Sequence, residues 1–579
     1  GKDGVVTEWL YNKVNEVEDQ TLRGIDARIE PAQEKMKELG ITAASLGKLL
    51  HHKDKSYTVD EVLSMYIGIK NKDSRKALMY GNEINAIRIF ALIRQLTPEQ
   101  RAWAEYMMKE FNDNYDRINK TLLKDQNRVM KAVEAYFPIR RQDVDYHELS
   151  AEMAEDILMR TGASRTYVGK GFTKERTMHS VRYQLPMKLG ATRIWMDQVA
   201  KQEKYIAQAI LVKRLHRIFG DWDVKKAITR TYGKQYNDRI LKYIDDVANP
   251  NIYKALDSAG RLSRTLRQNA ALSYLAFNAV TMLKQAPSIG YYFGHAGPFD
   301  LLASTTQFTT GMRKTIEFVH ERDPQMKHRS MERIMEELKV MDGGLYRKII
   351  KAVGRYGMWP IKAMDKAVTV IGWKAVYDRS IRKGLSEKEA IAAAQKATLT
   401  TQPAARAKDI AEIYRKGEGW NWLLMFTNQL NQIWNIATYD IPNSFRQGEA
   451  IQGLMQITGF VVGAMAMGVI SAKRPPEDLK EVSKWMLNQL WAAVPIIGGN
   501  LKAGFEGWLF STGVDPLPLA KEAGSTMRKL YEGDIDINDI ARLYMEGMVA
   551  LGIPTVTPRR IATAISEGDA WELIGGPPE

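Results

Sequence analysis

Apolar positions recur every three or four residues through most of the 579-residue chain, and that period predicts helices nearly throughout. Thr7–Ile29 keeps this spacing, and Pro31 is expected to open a new segment. Thr58 and Glu61 stand as a capping box ahead of Val62, Met65, Tyr66 and Ile69. Thr97-Pro98-Glu99-Gln100 joins an N-cap Thr, a Pro at the first helical position and a Gln at the third. From there one helix is expected to reach about Tyr136, with Trp103, Met107, Phe111, Tyr115 and Ile118 on its inner stripe, and Pro138 ends it. Residues 138–186 lose the period, and any β-structure is expected there, around a turn at Val168–Lys174. Helices resume over Thr192–Phe219 and Ala271–Leu283. Gly290–Pro298 reads as a Gly- and aromatic-rich loop, His320–Ser330 as a charged link, and Met331–Lys339 as a short amphipathic helix.

Trp359–Tyr439 is the most clearly punctuated stretch. Ile361 to about Arg382 stops at Gly384, a capping box at Ser386-Glu387-Lys388-Glu389 starts the next helix, Gln402-Pro403 ends it, and Trp420–Tyr439 forms a third. These signals divide the chain into a helical region 1–137, a connector 138–186, a central helical region 187–358, a three-helix module 359–445, a hydrophobic hairpin 446–512 and a helical tail 513–579. The expected fold class is all-α: an elongated helical protein of several subdomains with little β.

The hairpin changes the picture of an ordinary helical protein. Ile451–Ala472 runs 22 residues without a charge, and a second uncharged run of 17 residues, Trp485–Leu501, follows a polar link. At about 1.5 Å per residue the first run reaches roughly 33 Å, enough to cross about 30 Å of hydrocarbon. Gly459 and Gly463 form a G-x-x-x-G pair, and Ala464 with Gly468 repeats the small-residue spacing that lets helices approach closely. Trp485, Trp491 and Trp508 stand where interfacial anchors belong. The same glycines would equally serve a helix buried in a multimeric protein core, so these seven residues are candidates for membrane or oligomer contact.

Charge adds a partner class. Lys and Arg number 83 against 68 Asp and Glu, a net +15 spread along the chain, which favours polyanions such as DNA or an anionic lipid face. Arg261, Arg264 and Arg267, spaced by three, are the candidate phosphate contacts, although a solvated helix face has the same pattern. There is no cysteine, which removes disulfides, thiolate metal sites and a cysteine nucleophile. Gly1-Lys2-Asp3-Gly4 has no apolar h-region and no initiator Met, so a fragment or a processed chain is expected. Catalytic signatures are missing as well. His147-Glu148 lacks the second His of a zincin helix, and Gly169-Lys170-Gly171 lacks both the spacing and the hydroxyl of a P-loop. Asp534, Asp536 and Asp539 lack the Gly and terminal Glu of a calcium loop. No catalytic residue, cofactor or metal is expected.

A series of landmarks then resembles the C-terminal part of the large internal virion (ejection) proteins of short-tailed phages, and the related helical modules of phage polyvalent proteins. They are Tyr136–Pro138, Leu275-Ala276-Phe277-Asn278 with Lys284-Gln285 and Pro287, Met364-Asp365, Tyr377-Asp378-Arg379, Gly384–Ala390, Thr401–Pro403 and Met425–Gln429, closed by the Gly/Ala/Met-rich helix. No lytic transglycosylase segment accompanies them. The resemblance implies a non-enzymatic structural protein stored in the capsid near the portal and delivered into the host, where it helps build the genome conduit across the envelope. It implies as partners further copies of itself, other internal virion proteins, the portal, packaged DNA without sequence preference, and the host inner membrane. The places it implies are the virion interior and, after ejection, the periplasm and inner membrane. The alternatives are the non-catalytic helical part of a larger phage polyvalent or virion RNA polymerase-type polypeptide, and a cellular DNA-associated structural protein.

Overall fold

The computed structural model describes residues 7–130, 186–248, 285–329, 357–402 and 428–472, with isolated positions between and beyond them. Among these residues the protein is all-α apart from one two-stranded hairpin. It divides into two compact units, Gly1–Asn251 and Ile252–Glu579, a boundary that falls inside the stretch 187–358 expected as one region.

In the first unit a π-helical turn, Thr7–Asn12, leads into α1 (Lys13–Glu38), which continues through Pro31 rather than restarting there. Pro31 stands well inside the helix, where its ring removes one backbone donor, so tertiary packing has overridden the local signal. Next come α2 (Ala43–Gly47) and an antiparallel pair, β1 (Leu49–His52) and β2 (Lys55–Thr58), in the register Leu49↔Thr58 to His52↔Lys55. No sequence signal placed this hairpin, and the connector expected to carry any β-structure, residues 138–185, lies outside the described residues apart from Pro138. Its turn, Lys53-Asp54, lacks the Asn-Gly or Asp-Gly signature, and Lys53 takes a left-handed φ of 54°.

The Thr58 box opens α3 (Val59–Lys70) as expected, with the Glu61 amide donating to Thr58 Oγ1 and the Thr58 amide to Glu61. After α4 (Lys72–Gly81) and α5 (Ala86–Arg94), the Thr97 box opens α6 (Pro98–Asp113). The single helix expected to Tyr136 breaks at Asn114 into a second, α7 (Tyr115–Gln126), which Asn127 closes in the left-handed conformation. Asn114 turns its amide back onto the Glu110 carbonyl and carboxylate, competing with the helix at the break. The long helix α8 (Ala191–Gly220) then crosses α1 and α7, followed by α9 (Trp222–Tyr232) and α10 (Lys234–Ala248). Trp103 and Trp195, edge to face at 5.8 Å, centre the larger core, and Tyr205, Leu215 and Phe219 on α8 join a smaller one with Val14, Leu122 and Ile244.

The second unit starts with a 3-10 segment, Ala286–Gly294, and α11 (Pro298–Arg322). The expected loop at 290–298 is therefore largely a buried element. The expected charged link at 320–330 is also corrected: Asp323 is buried, caps α12 (Pro324–Lys327) and accepts from Trp373 Nε1 at 2.7 Å and Gln395 Nε2 at 3.1 Å. α13 (Trp359–Arg382) and α14 (Glu387–Thr401) match the expected first two helices of the module, and Ser386 caps α14 with Glu389 in the reciprocal position. The third is described from Asn428 as α15 (Asn428–Asn435), a π turn (Ile436–Asp440) and α16 (Ile441–Arg446). The apolar helix α17 (Ala450–Ala472) falls where its uncharged run placed it.

Candidate functional site

The G-x-x-x-G face of α17 is occupied by the chain's own 3-10 segment. Gly459 and Gly290 meet backbone to backbone: a Cβ on Gly290 would lie 2.7 Å from the Gly459 carbonyl, and one on Gly459 would overlap the Gly290 carbonyl. One turn further, a Cβ on Gly463 would stand 3.2 Å from the Tyr291 ring and 3.3 Å from the Pro287 carbonyl. Ala464 is fully buried, and Gly468 is buried too. The second arm of the expected hairpin, with Trp485, Trp491 and Trp508, lies outside the described residues, so the close-packing partner on view is Ala286–Gly294.

Consecutive tyrosines let this segment bridge two layers. Tyr291 faces α17, joins Ile433, Ile436 and Phe460, and has its hydroxyl pKa pushed upward by burial. Tyr292 faces the other way, its ring against Gly372 of α13 and its hydroxyl donating to Thr398 Oγ1 of α14 at 3.2 Å. Ser288 and Gln402 fix the register by two hydrogen bonds of 3.0 Å. Ser444 of α16 donates to Gln456 of α17 at 2.9 Å, and burial raises the Asp440 carboxyl to about 6 against the pull of Lys396.

The other face of α17 has the character its sequence suggested. Ile451 is 73 % exposed and Leu454 58 %, and Ile457, Val462 and Val469 are also exposed. These five large apolar side chains thus look outward along a helix of 23 residues, while Gly459, Gly463, Ala464 and Gly468 look inward together with Phe460. A sequence signal for the pairing existed: Gly290 and Gly294 repeat the four-residue spacing of Gly459 and Gly463, inside a stretch read as loop.

A second concentration of polar groups is buried in the first unit. Arg28 on α1 pairs with Glu110 on α6 and, at 3.0 Å, with Glu203 on α8. Two close carboxylates suggest acid–base chemistry, but each of their oxygens already accepts a hydrogen bond. Glu110 also takes Trp195 Nε1 at 3.0 Å and Asn114 Nδ2 at 2.9 Å, and Glu203 takes Arg117 at 3.0 and 2.9 Å. The cluster clamps four helices in register. Among the described residues, no three His, Asp or Glu side chains group to hold a metal.

The proposed phosphate contacts fare differently from one another. Arg261 and Arg264 lie outside the described residues. Arg267 is helical and buried, which removes it from a stripe offered to solvent. His51 and His52, adjacent on β1, point to opposite sides of the strand, and His51 Nδ1 meets Ser56 Oγ at 2.7 Å. Compared with known proteins, the chain matches no family model, no curated protein and no solved structure.

Proposed function

We propose that this chain is an internal virion protein of a short-tailed phage, a non-enzymatic component held in the capsid near the portal and delivered into the host to help carry the genome across the envelope. The observation that carries the reading is the divided helix α17, whose glycine face packs on Ala286–Gly294 while Ile451, Leu454, Ile457, Val462 and Val469 remain exposed. A helix of this length and composition meets the requirement for a hydrocarbon core of about 30 Å. Because α17 already has a packing partner within the chain, it is read as a segment packed on protein in storage and offered to lipid on delivery. Further copies of the chain, the portal and the other internal proteins are the partners this reading supplies, with packaged DNA held non-specifically by the basic excess.

Dye release from vesicles containing anionic lipid tests the membrane step. The purified chain is expected to cause leakage, and Leu454→Lys with Val462→Lys to abolish it. A Lys at 462, near the centre of a spanning helix, costs about 2.5–3.5 kcal/mol of insertion and one at 454, near its end, adds less, while both positions are exposed in the folded chain and tolerate charge there. Unchanged leakage by that double variant ends the membrane role. Presence of the chain in purified virions and its loss from emptied particles tests the virion assignment separately.

A further inference from the structure

The exposed face of α9 and α10 combines cations with aromatic rings. From the cap of α9 to the end of α10, residues 221–248 hold six Lys and Arg against five Asp, so the cations are set apart by their position beside the rings and not by a large net charge. Of the five acids, Asp221 is the N-cap of α9, accepting from the Asp223 and Val224 amides, and Asp246 is buried. Trp222 is 73 % exposed, Tyr232 64 % and Tyr236 45 %, with Lys226, Arg230 and Lys234 exposed between them. Gly233, at φ +95°, turns α9 back along α10 and brings Tyr232 to within 5.9 Å of Tyr236, centroid to centroid. The Arg239 guanidinium lies 5.8 Å from the Tyr236 ring centre.

We infer that this face is a contact surface for single-stranded nucleic acid. Cations that follow a sugar-phosphate backbone, interleaved with rings on which bases stack, are the two parts such a surface needs. An anionic membrane is the competing class, and the helix geometry argues against it. An interfacial helix needs a free apolar face opposite its cations. In α9 that face, Val224 and Ile228, already packs into the core beside Leu215 and Phe219, and α10 commits Ile240, Leu241 and Ile244 to the same core. Trp222 and Lys226 are left together on the outer side, one turn apart. Duplex DNA would meet the charges but leave the rings without a partner. The surface belongs to the first unit and does not depend on the virion reading or on α17.

The test is fluorescence anisotropy of the full chain with a labelled oligothymidylate and with a duplex of equal length, over a salt series, alongside co-sedimentation with anionic vesicles. The single strand is expected to bind more tightly than the duplex. Trp222→Ala with Tyr232→Ala should weaken single-strand binding at least tenfold without changing the salt slope. Lys226→Ala, Arg230→Ala and Lys234→Ala together should instead reduce the slope of log K against log salt by about 2. These positions are exposed, so unchanged circular dichroism is expected in both variants. Equal binding by the aromatic variant, equal affinity for duplex, or loss of vesicle binding with no oligonucleotide binding would each overturn the assignment.

Discussion

The Gly459–Gly290 crossing yields a prediction whose sign depends on geometry alone. Gly459→Ala and Gly463→Ala receive the same local benefit, because Ala in a helix interior is favoured over Gly by about 0.8–1 kcal/mol. They differ in what the new methyl meets. At Gly463 it stands 3.2 Å from a tyrosine ring edge and 3.3 Å from a carbonyl, which a shift of a few tenths of an ångström relieves. At Gly459 it overlaps the Gly290 carbonyl, and backbone cannot step aside by changing rotamer. Overpacking of that kind costs about 1–3 kcal/mol. Gly463→Ala is therefore expected to be near neutral and Gly459→Ala to loosen α17 by up to about 2 kcal/mol net. Hydrogen exchange of peptides covering 450–472 reads this directly, as up to roughly 30-fold faster exchange in Gly459→Ala alone. If Gly459→Ala protects the helix as well as Gly463→Ala does, the crossing is not a tight contact and the packing argument fails.

Three other changes probe the buried polar groups. Arg28→Met leaves Glu110 and Glu203 buried with fewer charged donors and should cost about 3–5 kcal/mol in urea unfolding, with Arg117 retaining part of Glu203's pairing. Trp373→Phe removes the 2.7 Å donor to buried Asp323 and should cost about 1.5–3 kcal/mol, and a neutral result would mean the carboxylate finds another donor. His295 is held at about 4 by burial and, secondarily, by Lys396 and Arg379. Between pH 6.5 and 4 the unfolded chain therefore binds a proton that the folded one refuses, so this contribution is present above 6.5 and is lost as pH falls towards 4. Asp440, raised to about 6, runs the opposite way, losing its contribution as pH rises through 6. His295→Gln should flatten the acid-side fall in urea midpoint relative to the parent, and parallel profiles would contradict the assignment.

Much of the helical content was legible because its signals are local. A capping box places donor and acceptor three residues apart, so Thr58, Thr97 and Ser386 announced the starts of α3, α6 and α14 without tertiary information. An uncharged run as long as 451–472 likewise has few ways to satisfy its backbone except as a helix, and α17 follows it closely. The hairpin at 49–58 was not legible, because its turn carries no glycine and its strands are four residues each. Pro31 misled for the reverse reason: it is a strong local signal that helix–helix packing overruled.

What the amino-acid order alone determined was that α17 is apolar, carries small residues on one stripe, and follows a punctuated helical module. Only the tertiary structure decided what those small residues touch. A G-x-x-x-G stripe specifies close approach but not the partner, because any backbone able to come near fits it. That partner is a segment more than 150 residues earlier, with Gly290 opposite Gly459, and no local period connects the two. The same holds for the basic, aromatic face of α9 and α10. Its composition is visible in the sequence, but its outward orientation follows from Val224, Ile228 and Ile244 being taken into the core.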